Sequence, residues 1–228
     1  MRLKGLIFDF NGVLWWDGPL QEQSWVEFST EIRGVLLSAE EMAVHVHGRN
    51  NRHTLEYLVG RAIEENEVEQ LSEQKERVYR GLCLAQGPDF RLSPGAVELL
   101  DDLVAHNICH TIATASGWAN VDFFVKHLHL ERWFDVERIV YDDGSGPGKP
   151  APDIYVRAAR SLGLDPAQCV VVEDSRSGIQ AAHRARIGYI VALGPVPTHG
   201  LLARWEGVDE VIENLGQFPR ACLWSQER

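Results

Sequence analysis

Through the second half of the chain, apolar and polar residues alternate between two spacings. "PGAVELLDDLVAHN" places Val97, Leu100, Leu103 and Val104 on one face of a helix. "ICHTIATAS" reads as a strand that runs into small hydroxylic residues. "WANVDFFVKHLHL" returns to helical spacing, with Val121, Phe124, Val125 and Leu128 on one side. A Gly/Pro-rich loop, "DGSGPGKPAP", precedes the helix "PDIYVRAARSLGL", and the apolar strand "CVVVEDS" follows it. Ser177 and Gln180 have capping-box spacing and predict the start of the next helix. "YIVAL" predicts one more buried strand. Wholly apolar strands separated by helices of this length predict right-handed βαβ units on a parallel sheet, hence an α/β fold.

The first third reads differently. "LIFDFNGVL" is a short strand and turn, but residues 15–87 show charged helical patterns, such as "SWVEFSTEIRGVLL" and "EQLSEQKERVYRGLCLA", and no strand. The expected organisation is an α/β core from residues 1–14 and 88–228, interrupted by a helical insert at 15–87.

Composition narrows the partners. The 228 residues carry a net charge of −11 and are 45% hydrophobic, enough for a real core and the wrong sign for nucleic acid or an anionic membrane. Cysteines fall at 83, 109, 169 and 222 without metal-site spacing, and the start of the chain reads as neither leader nor membrane span. A monomeric cytoplasmic protein with a small-molecule partner is the expectation.

In an open α/β sheet, ligands bind beyond the carboxyl ends of the strands. Those ends here are Asp9 with Asn11 in the following turn, Thr114 and Ser116, and Glu173-Asp174, while the loop before the helix at 152 offers Lys149. Singly, each has a plain alternative: Asn11-Gly12 is a common hairpin turn, a strand-end Asp is often a cap, and a loop lysine is often solvated. Two adjacent acids at the end of a buried strand are harder to dismiss, because they repel one another without a cation. Clustered carboxylates suit a hard cation such as Mg²⁺, and hydroxyls with a lysine suit phosphate oxygens. The combination predicts phosphoryl transfer.

The strings "IFDFNGVL", "HGRN", "TIATAS", "GKPAPDIY" and "VVVEDSRSGIQAA" together resemble the haloacid dehalogenase-like hydrolase superfamily, in its β-phosphoglucomutase-like branch. The resemblance spans nearly the whole chain. It implies a Rossmann-like parallel-sheet core with an inserted all-helical cap, and a Mg²⁺-dependent phosphohydrolase acting on a small phosphorylated metabolite. By the same resemblance, Asp9 is the nucleophile that forms an aspartyl-phosphate. Thr114 bonds the transferring group, with Ser116 and Gly12 beside it, and Lys149 neutralises charge. Asp9, the main-chain carbonyl of Asn11, Glu173 and Asp174 hold the metal. Arg49 in the cap reaches a second anionic group, with Arg52 and Arg80 as lesser candidates.

Several positions depart from the family pattern. Where most relatives have an aspartate that serves as acid and base, this chain has Asn11, whose amide can do neither. Gln21 stands where the mutases carry histidine, and "GWAN" after Ser116 replaces a Lys-Asn pair. These departures weigh against mutase activity; the two rival expectations are a sugar-phosphate mutase, which the resemblance offers, and a catalytically silent phospho-ligand binder. Lys75, embedded in a charged helical run, reads as a solvated surface residue. Trp15 and Trp16 read as hinge or pocket wall, or equally as core.

Overall fold

The computed structural model describes residues 2–46 and 51–223. The chain opens with β1 (Gly5–Phe8) and then leaves the sheet for α1 (Gly18–Arg33), α2 (Ala39–Glu41), a π-helical turn at Met42–Val46, α3 (Asn51–Val59) and α4 (Glu65–Ala85). It returns through α5 (Ala96–Ala105), β2 (Cys109–Gly117), α6 (Trp118–Leu128), β3 (Val140–Asp142) and α7 (Asp153–Ser161). β4 (Cys169–Glu173), α8 (Arg176–Arg184), β5 (Tyr189–Leu193), α9 (His199–Leu202) and β6 (Glu210–Ile212) complete it.

All strand pairs are parallel, in the order β3-β2-β1-β4-β5-β6. β1 and β4 occupy the centre, in register from Gly5 opposite Cys169 to Phe8 opposite Val172. Their apolar runs are explained by that place: every residue of both strands is buried, so neither face tolerates a polar alternation. β3 and β6, three residues each, lie at the two edges.

The chain divides into two compact units, Met1–Trp16 with Arg91–Arg228, and Asp17–Phe90. In the first, Ile7 and Val171 pack with Tyr155, Ala158, Ala159, Ile179 and Ala182 in one buried cluster. The small alanines of α7 and α8 let these helices lie close against the sheet. Phe10 stacks on Phe124 of α6, with ring centroids 4.2 Å apart. In the second unit, α1, α3 and α4 pack on one another around Trp25, Phe28, Leu37, Met42, Leu55 and Leu58. Among the described residues, no helix is long and apolar enough to cross a membrane.

Two sequence expectations are corrected here. The N-cap of α8 is Ser175, not Ser177: the Ser175 hydroxyl accepts the Gly178 N–H at 3.0 Å, which puts Ser177 inside the first turn. Lys75 is not a solvated residue but 2% exposed. Its ammonium lies 5.2 Å from the Trp25 ring and 5.4 Å from the Tyr79 ring, and donates to Gln21 Oε1 at 2.7 Å and Glu76 Oε1 at 3.0 Å. Nearby, the Tyr79 hydroxyl donates to buried Asp17 at 2.6 Å. Aromatic faces and polar partners from two helices make burial of that charge tolerable.

Candidate active site

β1 delivers Asp9 to the carboxyl edge of the sheet, where the Asp9 N–H donates to Val172 O of β4 at 3.0 Å. The strand order reverses between β1 and β4, the crevice in which open α/β sheets bind ligands. After Asp9 the chain folds back tightly, with the Gly12 N–H donating to Trp15 O at 2.7 Å. Gly12 has φ +81°, and a Cβ there would fall 2.0 Å from Asp174 Oδ2. Glycine therefore serves both the left-handed turn and the approach of Asp174. Trp15 is buried at the end of this turn, while Trp16 is exposed.

Carboxylate oxygens of Asp9, Glu173 and Asp174 all lie within 4.8 Å of one another. Into this group reaches Lys149, 2.7 Å from Asp9 Oδ1 and 2.5 Å from Glu173 Oε1. Beside it, the Ser116 hydroxyl donates to Asn11 Oδ1 at 2.9 Å, and the Ser116 N–H donates to Thr114 Oγ1 at 3.1 Å. Asp9, Asn11, Gly12, Thr114, Ser116, Lys149, Glu173 and Asp174 are thus gathered at one sheet edge. Arg49 lies outside the described residues. Arg52 is spent within the helical unit, on Glu65, Glu56 and the Ile63 carbonyl, and Arg80 pairs with Glu73.

Three residues that the sequence did not single out hold Glu173. The Tyr155 hydroxyl donates to its Oε1 at 2.8 Å, while the Ser175 N–H and hydroxyl donate to Oε2 at 2.9 and 3.0 Å. Gly178 makes the room: a Cβ there would lie 1.6 Å from Glu173 Oε1. A glycine inside a helix costs about 1 kcal/mol relative to alanine, a signal that something must approach it closely. Gly178→Ala is expected to displace Glu173 and weaken divalent-cation binding by about 10–100-fold, read by titration calorimetry. An unchanged affinity would show that the cation does not depend on where Glu173 sits.

The electrostatics of the group are unbalanced. Burial, partly opposed by Lys149 and reinforced by Glu173, raises the Asp9 carboxyl to about 7. Burial, Glu173 and Asp9 raise Asp174 to about 8. Burial alone would raise Glu173 too, but Lys149, Ser175 and Tyr155 together hold it below the usual carboxylate range. Burial likewise opposes the charge on Lys149, yet Asp9 and Glu173 keep it firmly protonated. Three crowded carboxylates, two buried and one half-buried, share one lysine, so when all three ionise their charge on hard oxygen donors exceeds it. That donor set fits a divalent cation.

The comparisons agree with this architecture. A family model described as haloacid dehalogenase-like hydrolase matches residues 3–186. The phosphorylated carbohydrates phosphatase of Thermotoga maritima is 30% identical over 190 residues, covering 81% of this chain and 82% of the relative. A crystal structure of an Entamoeba histolytica hydrolase of the same superfamily, described as family IA, variant 3, superposes with TM-score 0.89 at 35% identity, covering 97% of this chain and 98% of that one. A β-phosphoglucomutase from Clostridium difficile superposes with TM-score 0.73 at 22% identity over 95% of this chain and 93% of its own, a likeness of fold alone. The chain belongs to the haloacid dehalogenase-like hydrolase family. It is an enzyme, a hydrolase with phosphatases among its named relatives.

Proposed function

We propose that this protein is a Mg²⁺-dependent phosphohydrolase that passes the phosphoryl group of a small phosphorylated metabolite through Asp9. The observation that carries the reading is Lys149, lodged between Asp9 and Glu173 beside Asp174 at the sheet's switch point. An anionic nucleophile approaching a phosphate dianion meets repulsion of roughly 4 kcal/mol per unit-charge pair at 4 Å with effective ε near 20. Lys149 cancels part of it.

Asp9, Asp174 and the main-chain carbonyl of Asn11 would hold the metal, with Glu173 beside them, and a bound metal would supply Lewis-acid neutralisation of phosphate charge. The remaining work belongs to side chains. An Asp9 oxygen attacks phosphorus, the bond to the leaving oxygen breaks, and its electron pair departs with that oxygen. The Thr114 hydroxyl donates a hydrogen bond to a phosphoryl oxygen, with Ser116 beside it holding Asn11. Water then attacks phosphorus and frees Asp9, so one hard hydrolysis becomes two easier displacements. The helical insert, which includes Arg49, acts as the cap that chooses the substrate.

Asn11 cannot protonate the leaving oxygen. General acid–base help is worth about 10²–10⁴-fold, while enzymes on phosphate monoesters reach roughly 10²¹ over water. The nucleophile, metal and lysine therefore leave a working enzyme, best suited to leaving groups that need little protonation. A mutase must activate a second hydroxyl as well, which an amide does not do, so hydrolysis is the favoured outcome.

The test is a phosphate-release screen over sugar phosphates, nucleotides, acyl phosphates, aryl phosphates and pyrophosphate, with and without Mg²⁺. Release that requires Mg²⁺ is expected. Isomerised product without free phosphate would mark a mutase, and binding without turnover a silent binder.

The buried acids also predict a pH dependence. Because folding raises Asp9 to about 7 and Asp174 to about 8 from an ordinary 3.8, their contribution to metal-free stability is full below that ordinary value. It is lost as pH climbs through the raised values. A divalent cation relieves the loss by favouring the ionised forms, so the rise in Tm on adding Mg²⁺ is expected to be larger at pH 8 than at pH 6. Equal shifts at both, read by differential scanning fluorimetry, would count against a metal site built on these carboxylates.

A further inference from the structure

We propose that Trp118 and Tyr141 form an aromatic platform for a planar leaving group, which makes aryl phosphates the preferred substrate class. The inference rests on the phosphohydrolase reading and narrows it. Trp118 is 47% exposed, leaving much of its indole open to a ligand. It is the first residue of α6, directly after the strand that carries Thr114 and Ser116. Two residues of chain span at most about 7 Å. The indole therefore starts within a side chain's reach of Ser116, which itself bonds Asn11.

The platform has a second ring. Trp118 packs on half-buried Tyr141 of β3 with centroids 5.3 Å apart and planes tilted by 48°. Pairing of β2 with β3, with Gly117 opposite Asp142, ties the two residues together. The surrounding positions, Ala115, Gly117 and Ala119, are exposed and small, so no neighbouring side chain of that stretch projects over the rings. Flat aromatic faces of this kind recognise another flat ring by offset stacking.

An independent feature of the same site asks for the same chemistry. Asn11 cannot donate a proton, so the leaving oxygen must depart as an anion. A phenolic oxygen, with a pKa of about 10, does this readily; an alkoxide, far more basic, does not. In the step proposed, the P–O bond to the ring oxygen breaks and its electron pair leaves as aryl oxide while the Asp9 oxygen bonds phosphorus. Solvent then protonates the aryl oxide. The missing acid and the exposed rings thus select one substrate class.

The experiment compares the Mg²⁺-loaded protein with its Trp118→Ala and Trp118→Phe variants on 1-naphthyl phosphate, acetyl phosphate and a hexose phosphate. Acetyl phosphate needs no acid either, but offers no ring. Trp118→Ala is expected to raise KM for 1-naphthyl phosphate by about tenfold and to leave acetyl phosphate within about twofold. Trp118→Phe should recover most of the loss, and the wild type should show a higher kcat/KM for 1-naphthyl than for hexose phosphate. Equal effects of Trp118→Ala on both ring and ringless substrates, no effect on either, or a preference for the hexose would overturn the platform while leaving the hydrolase intact. Absence of phosphate release from all three, acetyl phosphate included, would overturn the hydrolase reading and the platform with it.

Discussion

Asp9→Asn is expected to reduce phosphate release by on the order of 10⁵-fold, since a residue acting as covalent nucleophile has no substitute in the site. The amide keeps the size of the side chain, so the fold should survive. Indeed the metal-free protein should gain stability at pH 8, because one of three crowded carboxylates is removed from a group that, among the described residues, has Lys149 to offset it. The paired readout is decisive: lost turnover with equal or higher Tm fits a nucleophile, whereas lost turnover with a collapsed Tm would mean that Asp9 serves the fold. Residual activity within about a hundredfold of the wild type would remove the aspartyl-phosphate from the mechanism, because even the loss of a general acid or base costs about 10²–10⁴-fold.

The opposite change, Asn11→Asp, is expected to raise turnover on alkyl phosphates by about 10²–10⁴-fold, the ordinary worth of a positioned acid and base. Geometry favours the gain. The Ser116 hydroxyl already fixes the side-chain oxygen at 2.9 Å, and a carboxylate would accept the same bond. Aryl phosphates should gain far less, because their leaving oxygen departs without a proton. The ratio of the two gains is therefore more informative than either alone. An equal gain on both substrates would mean that the new carboxylate acts in the second displacement, by activating water. No gain on either would mean that the native site already obtains its proton from another group, and the description of this enzyme as attenuated would be wrong.

The site lies where α/β architecture puts sites, at the reversal of strand order. Its geometry depends on residues beyond the carboxylates themselves. Glu173 is fully buried because Lys149, Tyr155 and Ser175 supply its donors and Gly178 supplies its space. Fully satisfied buried networks of this kind hold a single geometry, and a partly satisfied one would be costly in the same low-dielectric surroundings.

Sequence alone determined the central strands, most helices and which residues stand at the strand ends of the candidate site. β1 and β4 are buried on both faces, so their apolar runs are local and continuous, and a residue at a strand's carboxyl end is placed by chain position alone. β3 and β6 leave no mark in the sequence, because three residues at a sheet edge show no period. Ser177 has the cap's spacing but Ser175 is the cap, because two serines lie two residues apart and the spacing rule does not weigh the departure of the chain from β4. Only the tertiary structure decided that Lys75 is buried, that Tyr155 and Gly178 frame Glu173, and that Trp118 meets Tyr141. Periodicity reports which face of an element is covered, but the covering groups come from elsewhere in the chain: Lys75 finds Gln21, 54 residues away, and Lys149 finds Asp9, 140 residues away. Burial of a charge, and the exposure of a tryptophan, are properties of that company.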